Sequence, residues 1–355
     1  MKSNRMGKWL PLLTALLMLL VSGCATLGPD FRPPEVETPA AYRSALPGEG
    51  VEFNLKWWNL FQDPDLYQIV TQALANNRDL GVAASRIVEA RAALGFTEAD
   101  RLPRIDLDVG AMTGNYSGGS RSPDTNSTAF IAPTINWEID FWGKFSRANE
   151  AARADLMASQ YALDTVQLTL ISEVVSAYYQ LLDFQQREVI ARETLDSRLE
   201  SLDIIQQRFD QGTVPEIDLN QAQIQKEIAA GAIPLYQRSI AKVENALSIL
   251  MGRLPGGIRT GSALTQQPIP PDIPMGLPAD LLTRRPDIAQ AFYQLKAQTA
   301  RIGVAEALRF PSISLTGVLG LASSELSSIT SEGEVWSLGG GLVAPLLDFG
   351  KNRRR

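Results

Sequence analysis

The chain has 355 residues, 45% of them hydrophobic, with 33 basic and 39 acidic side chains and a net charge of −6, a balance that argues against nucleic acid as a partner. It contains no histidine and a single cysteine, Cys24. That removes the commonest general base and metal ligand, every Ser-His or Cys-His pair, any disulfide framework and any cysteine metal site, so no catalytic centre, cofactor or metal is expected.

In chain order, Lys2, Arg5 and Lys8 lead into the apolar run from Trp9 to Val21, followed by Ser22-Gly23-Cys24. Residues 1–23 therefore read as a secretory signal, too short and wrongly flanked for a stable membrane span. Val21-Ser22-Gly23-Cys24 resembles a bacterial lipobox, in which the cysteine is acylated and starts the mature chain; the alternative is a signal peptide that ends at an unrelated cysteine. Ala25 stands where an Asp would retain such lipoproteins at the inner membrane, so by that resemblance the expected destination is the outer membrane. Residues 24–56 are Pro-rich, cannot be helical, and are expected to lie extended along a larger body.

A helical region opens near Asp65, has a possible break at Asn76-Asn77, and ends at Leu102-Pro103. Strands follow at about 104–117 and 128–142, around a polar loop from Ser117 to Thr128. In the second, Ile135, Trp137, Ile139 and Phe141 alternate with Asn136, Glu138 and Asp140; in the first, Ile105, Leu107 and Val109 alternate with Asp106 and Asp108. Such alternation fits a half-exposed sheet, and equally a barrel with a lipid face and a wet lumen. Trp137, Phe141, Trp142 and Trp336 near the strand ends resemble an aromatic girdle.

No Gly or Pro interrupts the chain between Gly143 and Gly212, where an apolar seam recurs every three or four residues from Leu163 to Phe209. A helix of that length would run roughly 100 Å and would need partner helices, in coiled-coil fashion. Gly212-Thr213-Val214-Pro215 turns the chain, and a return helix from Glu216 to Met251, softened at Gly231 and Pro234, completes an antiparallel hairpin over 143–251. A last pair of strands is expected at about 312–322 and 335–349. The glycine run Gly339-Gly340-Gly341 within it indicates close backbone packing and no phosphate loop.

Part of this pattern occurs twice. From Asp79 to Phe141 and from Asp287 to Phe349, landmarks recur at one constant offset: Glu98 and Glu306, Pro103 and Pro311, Ile105 and Ile313, Leu107 and Leu315, Asp140 and Asp348. A duplication at this period sets the architecture. It divides the chain into a first repeat over 57–270 and a second over 271–355, which stops after its strands where the first continues into a hairpin.

Four stretches carry a family resemblance: Cys24-Ala25-Thr26-Leu27-Gly28-Pro29-Asp30-Phe31; Arg208-Phe209-Asp210-Gln211-Gly212 with Asp218-Leu219-Asn220; Ala232-Ile233-Pro234 leading to Leu250-Met251-Gly252; and Gly276-Leu277-Pro278 through Arg284-Arg285-Pro286-Asp287 to Phe310-Pro311-Ser312-Ile313. On them the chain resembles the TolC-type outer-membrane factors, specifically their NodT-type lipoprotein branch. The resemblance implies an α+β, TolC-like fold: a long α-helical coiled-coil hairpin, with two antiparallel β-hairpins giving four strands per protomer to a trimeric membrane β-barrel. It implies the exit duct of a tripartite efflux pump, a homotrimer working with a periplasmic adaptor protein and an inner-membrane transporter, and held to outer-membrane lipid through acylated Cys24. By the same resemblance Gly212, Thr213, Val214 and Pro215 form the adaptor-contacting turn and Asp218 helps close the aperture. Asp106, Asp108, Asn136, Glu138 and Asp140 would then face the lumen. The family's second helical hairpin has no counterpart here, so a C-terminally truncated chain is expected. The competing expectations are a lipid-anchored coiled-coil scaffold of the envelope, a non-functional remnant of the channel and, least favoured, a carboxylate-based hydrolase.

Overall fold

The computed structural model describes residues 26–40, 57–117, 120–269, 281–324 and 333–354. In order these form α1 (Pro64–Asn76), α2 (Arg78–Ala99), β1 (Arg104–Ser117), β2 (Ser120–Ile139), α3 (Lys144–Asp210), α4 (Glu216–Leu250), α5 (Pro286–Ala307), β3 (Ser312–Ser323) and β4 (Glu334–Val343). They group into two units. One holds the described residues up to Val36 together with 87–160 and the described residues from 288 onward; the other holds 37–86 and 161–287 where described.

The hairpin unit is built on the part of the 67-residue α3 from residue 161 onward and on α4, 35 residues long. α4 continues through Gly231 and Pro234 as one α-helix, although Pro234 has no N–H for the carbonyl one turn before it. Apolar side chains at helical spacing meet in one core: Leu66, Ile69, Val70 and Ala73 of α1, Leu170, Val174, Tyr178 and Leu181 of α3, and Val243 and Leu247 of α4. Leu66, Leu181 and Leu247 are fully buried, each contributing about 2 kcal/mol.

The start of α1 is fixed by Asp63. One carboxylate oxygen accepts from the Asp65 and Leu66 backbone N–H groups at 2.8 and 3.1 Å. The other accepts from the buried Tyr178 hydroxyl and from Gln267 Nε2, both at 2.7 Å. Burial raises the Asp63 pKa, but these donors outweigh it and hold the group below the ordinary carboxylate range. The break expected at Asn76-Asn77 is present: Asn77 is extended, and its side chain accepts from the Asp79 and Leu80 N–H groups, which begin α2.

The other unit contains a four-stranded antiparallel sheet in the order β1-β2-β3-β4. Its strands depart from the expected bounds in three places. β1 and β2 pair through most of the segment expected as a polar loop, with a register shift between Gly114 and Tyr116, because antiparallel pairing satisfies the backbone there whatever the side chains. β2 stops at Ile139, short of Asp140, whose carboxylate turns to the start of α3. β4 stops at Val343, two residues before Pro345, which has no N–H to pair. Inside the sheet, β2–β3 pairing lapses at Ala132 and Pro133 and resumes at Thr134 opposite Val318. Pro133 has no ladder donor.

Candidate functional site: a two-faced sheet and a hairpin turn

Directly paired residues share a face in an antiparallel sheet, so the register decides what alternation left open. Pairing of Ile105 with Ile135, Ile131 with Leu321, Trp137 with Leu315 and Leu319 with Trp336 gathers these large apolar side chains on one face, while Met112, Phe130 and Val318 lie on the other. They are exposed: Ile105 by 68%, Leu319 by 70%, Trp336 by 78% and Leu338 by 79%. A sheet facing water does not present so large a continuous apolar surface, whereas one facing lipid must.

The opposite face carries Asp106, Asp108, Thr134, Asn136, Glu138, Ser314 and Thr316, with Gly339 and Gly341 where β4 crosses it. Thr134 Oγ1 donates to Asp108 at 2.9 Å, and Lys144 pairs with Glu138 at 2.6 Å. Asp140 lies beyond the strand and accepts from the Phe145 and Ser146 N–H groups at 3.0 and 2.8 Å and from the Ser146 hydroxyl, capping α3. β4, the shortest strand, has 10 residues, enough to cross a bilayer's apolar core, which takes about 9–11. Among the described residues no helix is long and apolar enough to cross a membrane.

The sheet is open, with β1 and β4 as edges. Unpaired strand edges in lipid leave N–H and C=O groups without partners, so the face and the open edges together require closure by further strands.

In the hairpin unit, Gly212 has φ +68°, and its N–H and that of Thr213 bond the Phe209 and Arg208 carbonyls at 2.8 and 2.9 Å, closing α3. Gly212, Thr213 and Pro215 are exposed and Val214 is half-buried. Asp218 is exposed in the first turn of α4, where negative charge suits the helix dipole. Beside and beyond the turn, Ile204, Ile217, Ile224 and Ile228 remain more than half exposed, leaving apolar helix surface uncovered within the protomer. Cys24 lies outside the described residues. Among those residues no cluster of acidic or cysteine side chains could hold a metal ion.

How the Pro-rich N-terminal segment is fastened had no signal in the sequence. Residues 26–31 form a strap against the base of the sheet unit. Leu27 N–H bonds the Trp142 carbonyl at 3.1 Å, Gly28, with φ +91°, abuts the Gly303 backbone, and Phe31 packs edge-on against Phe292. The buried Arg147 of α3 reaches the Leu27 carbonyl at 3.0 Å, the Gly28 carbonyl at 3.2 Å, and Asp30 and Glu150 at 2.8 Å each.

Residues 69–253 and 277–355 match the family model described as outer membrane efflux protein. The probable outer membrane lipoprotein SilC of Salmonella typhimurium is 33% identical over 97% of this chain and 75% of its own length. The cation efflux system protein CusC of Escherichia coli O6:H1 is 33% identical over 96% of this chain and 75% of its own. Among solved structures, the outer-membrane channel OprN superposes with a TM-score of 0.86 at 33% identity, covering 93% of this chain and 75% of that one. The four-stranded antiparallel sheet and long helical hairpin of this chain form the α+β, TolC-like fold of such outer-membrane channels, and the chain belongs to the outer membrane efflux protein family.

Proposed function

We propose that three copies of this chain close one twelve-stranded barrel, with the helices continuing it as a periplasmic duct, and that the assembly is the passive exit of a tripartite efflux pump. The observation that carries this reading is the register of an open-edged sheet with one apolar and one polar face. Four strands cannot end in lipid, and three copies give an even, closed number. The uncovered isoleucines of α3 and α4 would then pack on helices of neighbouring copies. Asp106, Asp108, Asn136 and Glu138 line the water-filled side. Asp140, which caps α3, sits at its lower rim. Acylated Cys24 anchors the chain in outer-membrane lipid. The turn Gly212-Thr213-Val214-Pro215 meets a periplasmic adaptor, itself coupled to an inner-membrane transporter, and Asp218 contributes to closing the aperture. Cargo is small molecules or ions, driven by the transporter; the duct supplies no chemistry.

In planar bilayers the purified protein is expected to give discrete conductance steps with a cation preference. Changing Asp106 and Asp108 together to Asn should lower the cation-to-anion permeability ratio by about twofold. A lipid-anchored scaffold would conduct nothing, so silent bilayers would reject the duct. The apolar face has its own test. Leu319→Arg should cost about 2 kcal/mol of barrel stability, read as a lower urea midpoint in detergent or lipid, while Thr316→Arg on the polar face should leave the midpoint near wild type.

A further inference from the structure

The sheet unit contains a cavity of about 350 Å³ between the end of α2, the first turns of α3 and α5. Its walls include Arg101, Asn149, Glu150, Arg153, Tyr293 and Lys296. Charges on this wall do not cancel. Glu150 is held by Arg147 at 2.8 Å, and Arg153 is matched by Glu98 at 3.2 Å. Among the described residues neither Arg101 nor Lys296 has an ion-pair partner, so the cavity keeps two uncompensated cations. At its back Asn149 is only 4% exposed; its Oδ1 accepts from Thr97 at 2.9 Å, and its Nδ2 is buried with nothing to donate to. A buried donor without a partner is costly and marks a place where an acceptor belongs.

The cavity's position narrows the acceptor. Trp137, on the apolar face near the end of β2, donates its indole N–H to the Arg101 carbonyl at 3.0 Å. α3 begins at Lys144, directly after β2, and Asn149 lies in its second turn. The Arg101 and Asn149 end of the cavity is therefore at the helix-side rim of the surface that faces lipid, where phospholipid headgroups lie, with Lys296 about three turns before the end of α5, and the cavity's volume suits a headgroup.

We propose that this cavity binds a phosphate group, supplied by the headgroup of an anionic phospholipid, with Arg101 and Lys296 pairing its oxygens and Asn149 Nδ2 donating to it. Arginine and lysine beside a fixed amide donor form a suitable set for a phosphodiester. The lipid source rests on reading the apolar face as the membrane face; the phosphate chemistry does not.

The test is native mass spectrometry of the delipidated full chain titrated with phosphatidylglycerol, phosphatidylcholine or inorganic phosphate. Phosphatidylglycerol is expected to bind at least about tenfold more tightly than phosphatidylcholine, and Arg101→Gln with Lys296→Gln should weaken it by about tenfold or more. The charge-retaining pair Arg101→Lys and Lys296→Arg should keep binding within a few-fold of wild type, which separates loss of the site from loss of the fold. Inorganic phosphate binding that the Gln pair abolishes, without selective lipid binding, would keep the phosphate site and assign it a soluble source. Equal binding of the two lipids with no phosphate binding, or binding that the Gln pair leaves unchanged, would overturn the proposal. Bilayer conductance is read on the same preparations, so a protein that binds phosphate but does not conduct would sink the duct and leave this site standing.

Discussion

Asp63→Ala is expected to cost about 3 kcal/mol and to loosen the hairpin unit's core, although it removes one residue outside every proposed site. The carboxylate is the common acceptor of four donors: the Asp65 and Leu66 N–H groups, the Tyr178 hydroxyl and Gln267 Nε2. Alanine leaves the Tyr178 hydroxyl with no acceptor in a fully buried position. Tyr178→Phe removes donor and orphan together and should cost only about 1 kcal/mol. The pH dependence follows from the lowered folded-state pKa of Asp63. Its stabilisation is fully present above the ordinary carboxylate value near 3.8 and is lost as pH falls through the lower folded-state value. Thermal unfolding followed by far-UV circular dichroism should therefore show the wild type losing its advantage over Asp63→Ala only in strong acid. An advantage that fades near neutral pH would assign the effect to other groups.

Elements governed by local chemistry were legible in the chain. α3 runs between the two glycines that bracket it, and both Gly143 and Gly212 take the positive φ that ends or starts a helix at low steric cost. The break at Asn77 and the alternation of β1 and β2 were equally plain. The register was not: Ile105 could have met any residue of β2, and a slip of one residue from its pairing with Ile135 would have turned its whole apolar row to the other face. β4 gave little warning, because glycines leave one of its faces unmarked. Asp63, directly before Pro64, carries a helix N-cap signature, but nothing in the sequence says that the distant Tyr178 and Gln267 reach its second oxygen. Nor does the alternation separate Asp140, a helix cap, from Asp108, a sheet residue; that depends on where β2 ends. The strap is the clearest case: Arg147 and Asp30 are far apart along the chain and carry no shared motif, yet their ion pair is 2.8 Å long.

Arg147→Met should release that strap, with an expected loss of about 3 kcal/mol and rapid proteolysis of residues 26–36 in a fold that otherwise stays intact. The guanidinium, 7% exposed, is a four-way fastener that methionine can match in volume but not in bonding. The partners do not suffer equally. Asp30 is 89% exposed and returns to water at little cost, whereas Glu150, 33% exposed, and the Leu27 and Gly28 carbonyls lose a donor where water has poor access. Arg147→Lys keeps the charge without the fork and should fall between the two. Gly28→Val tests the same strap from the other side: its side chain would overlap the Gly303 backbone and force an unfavourable φ, so it should expose the same peptide bonds while Arg147 remains. If both variants resist protease as the wild type does, the Phe31–Phe292 contact and the Leu27 N–H bond hold the strap without Arg147. If both are cut, the strap is held by one buried cation and one close glycine contact. On the proposed acylation of Cys24, two residues before Thr26, the lipid anchor would then pull on the duct through Arg147, and the Met variant should leave acylated protein in the membrane with fewer assembled trimers on native gels.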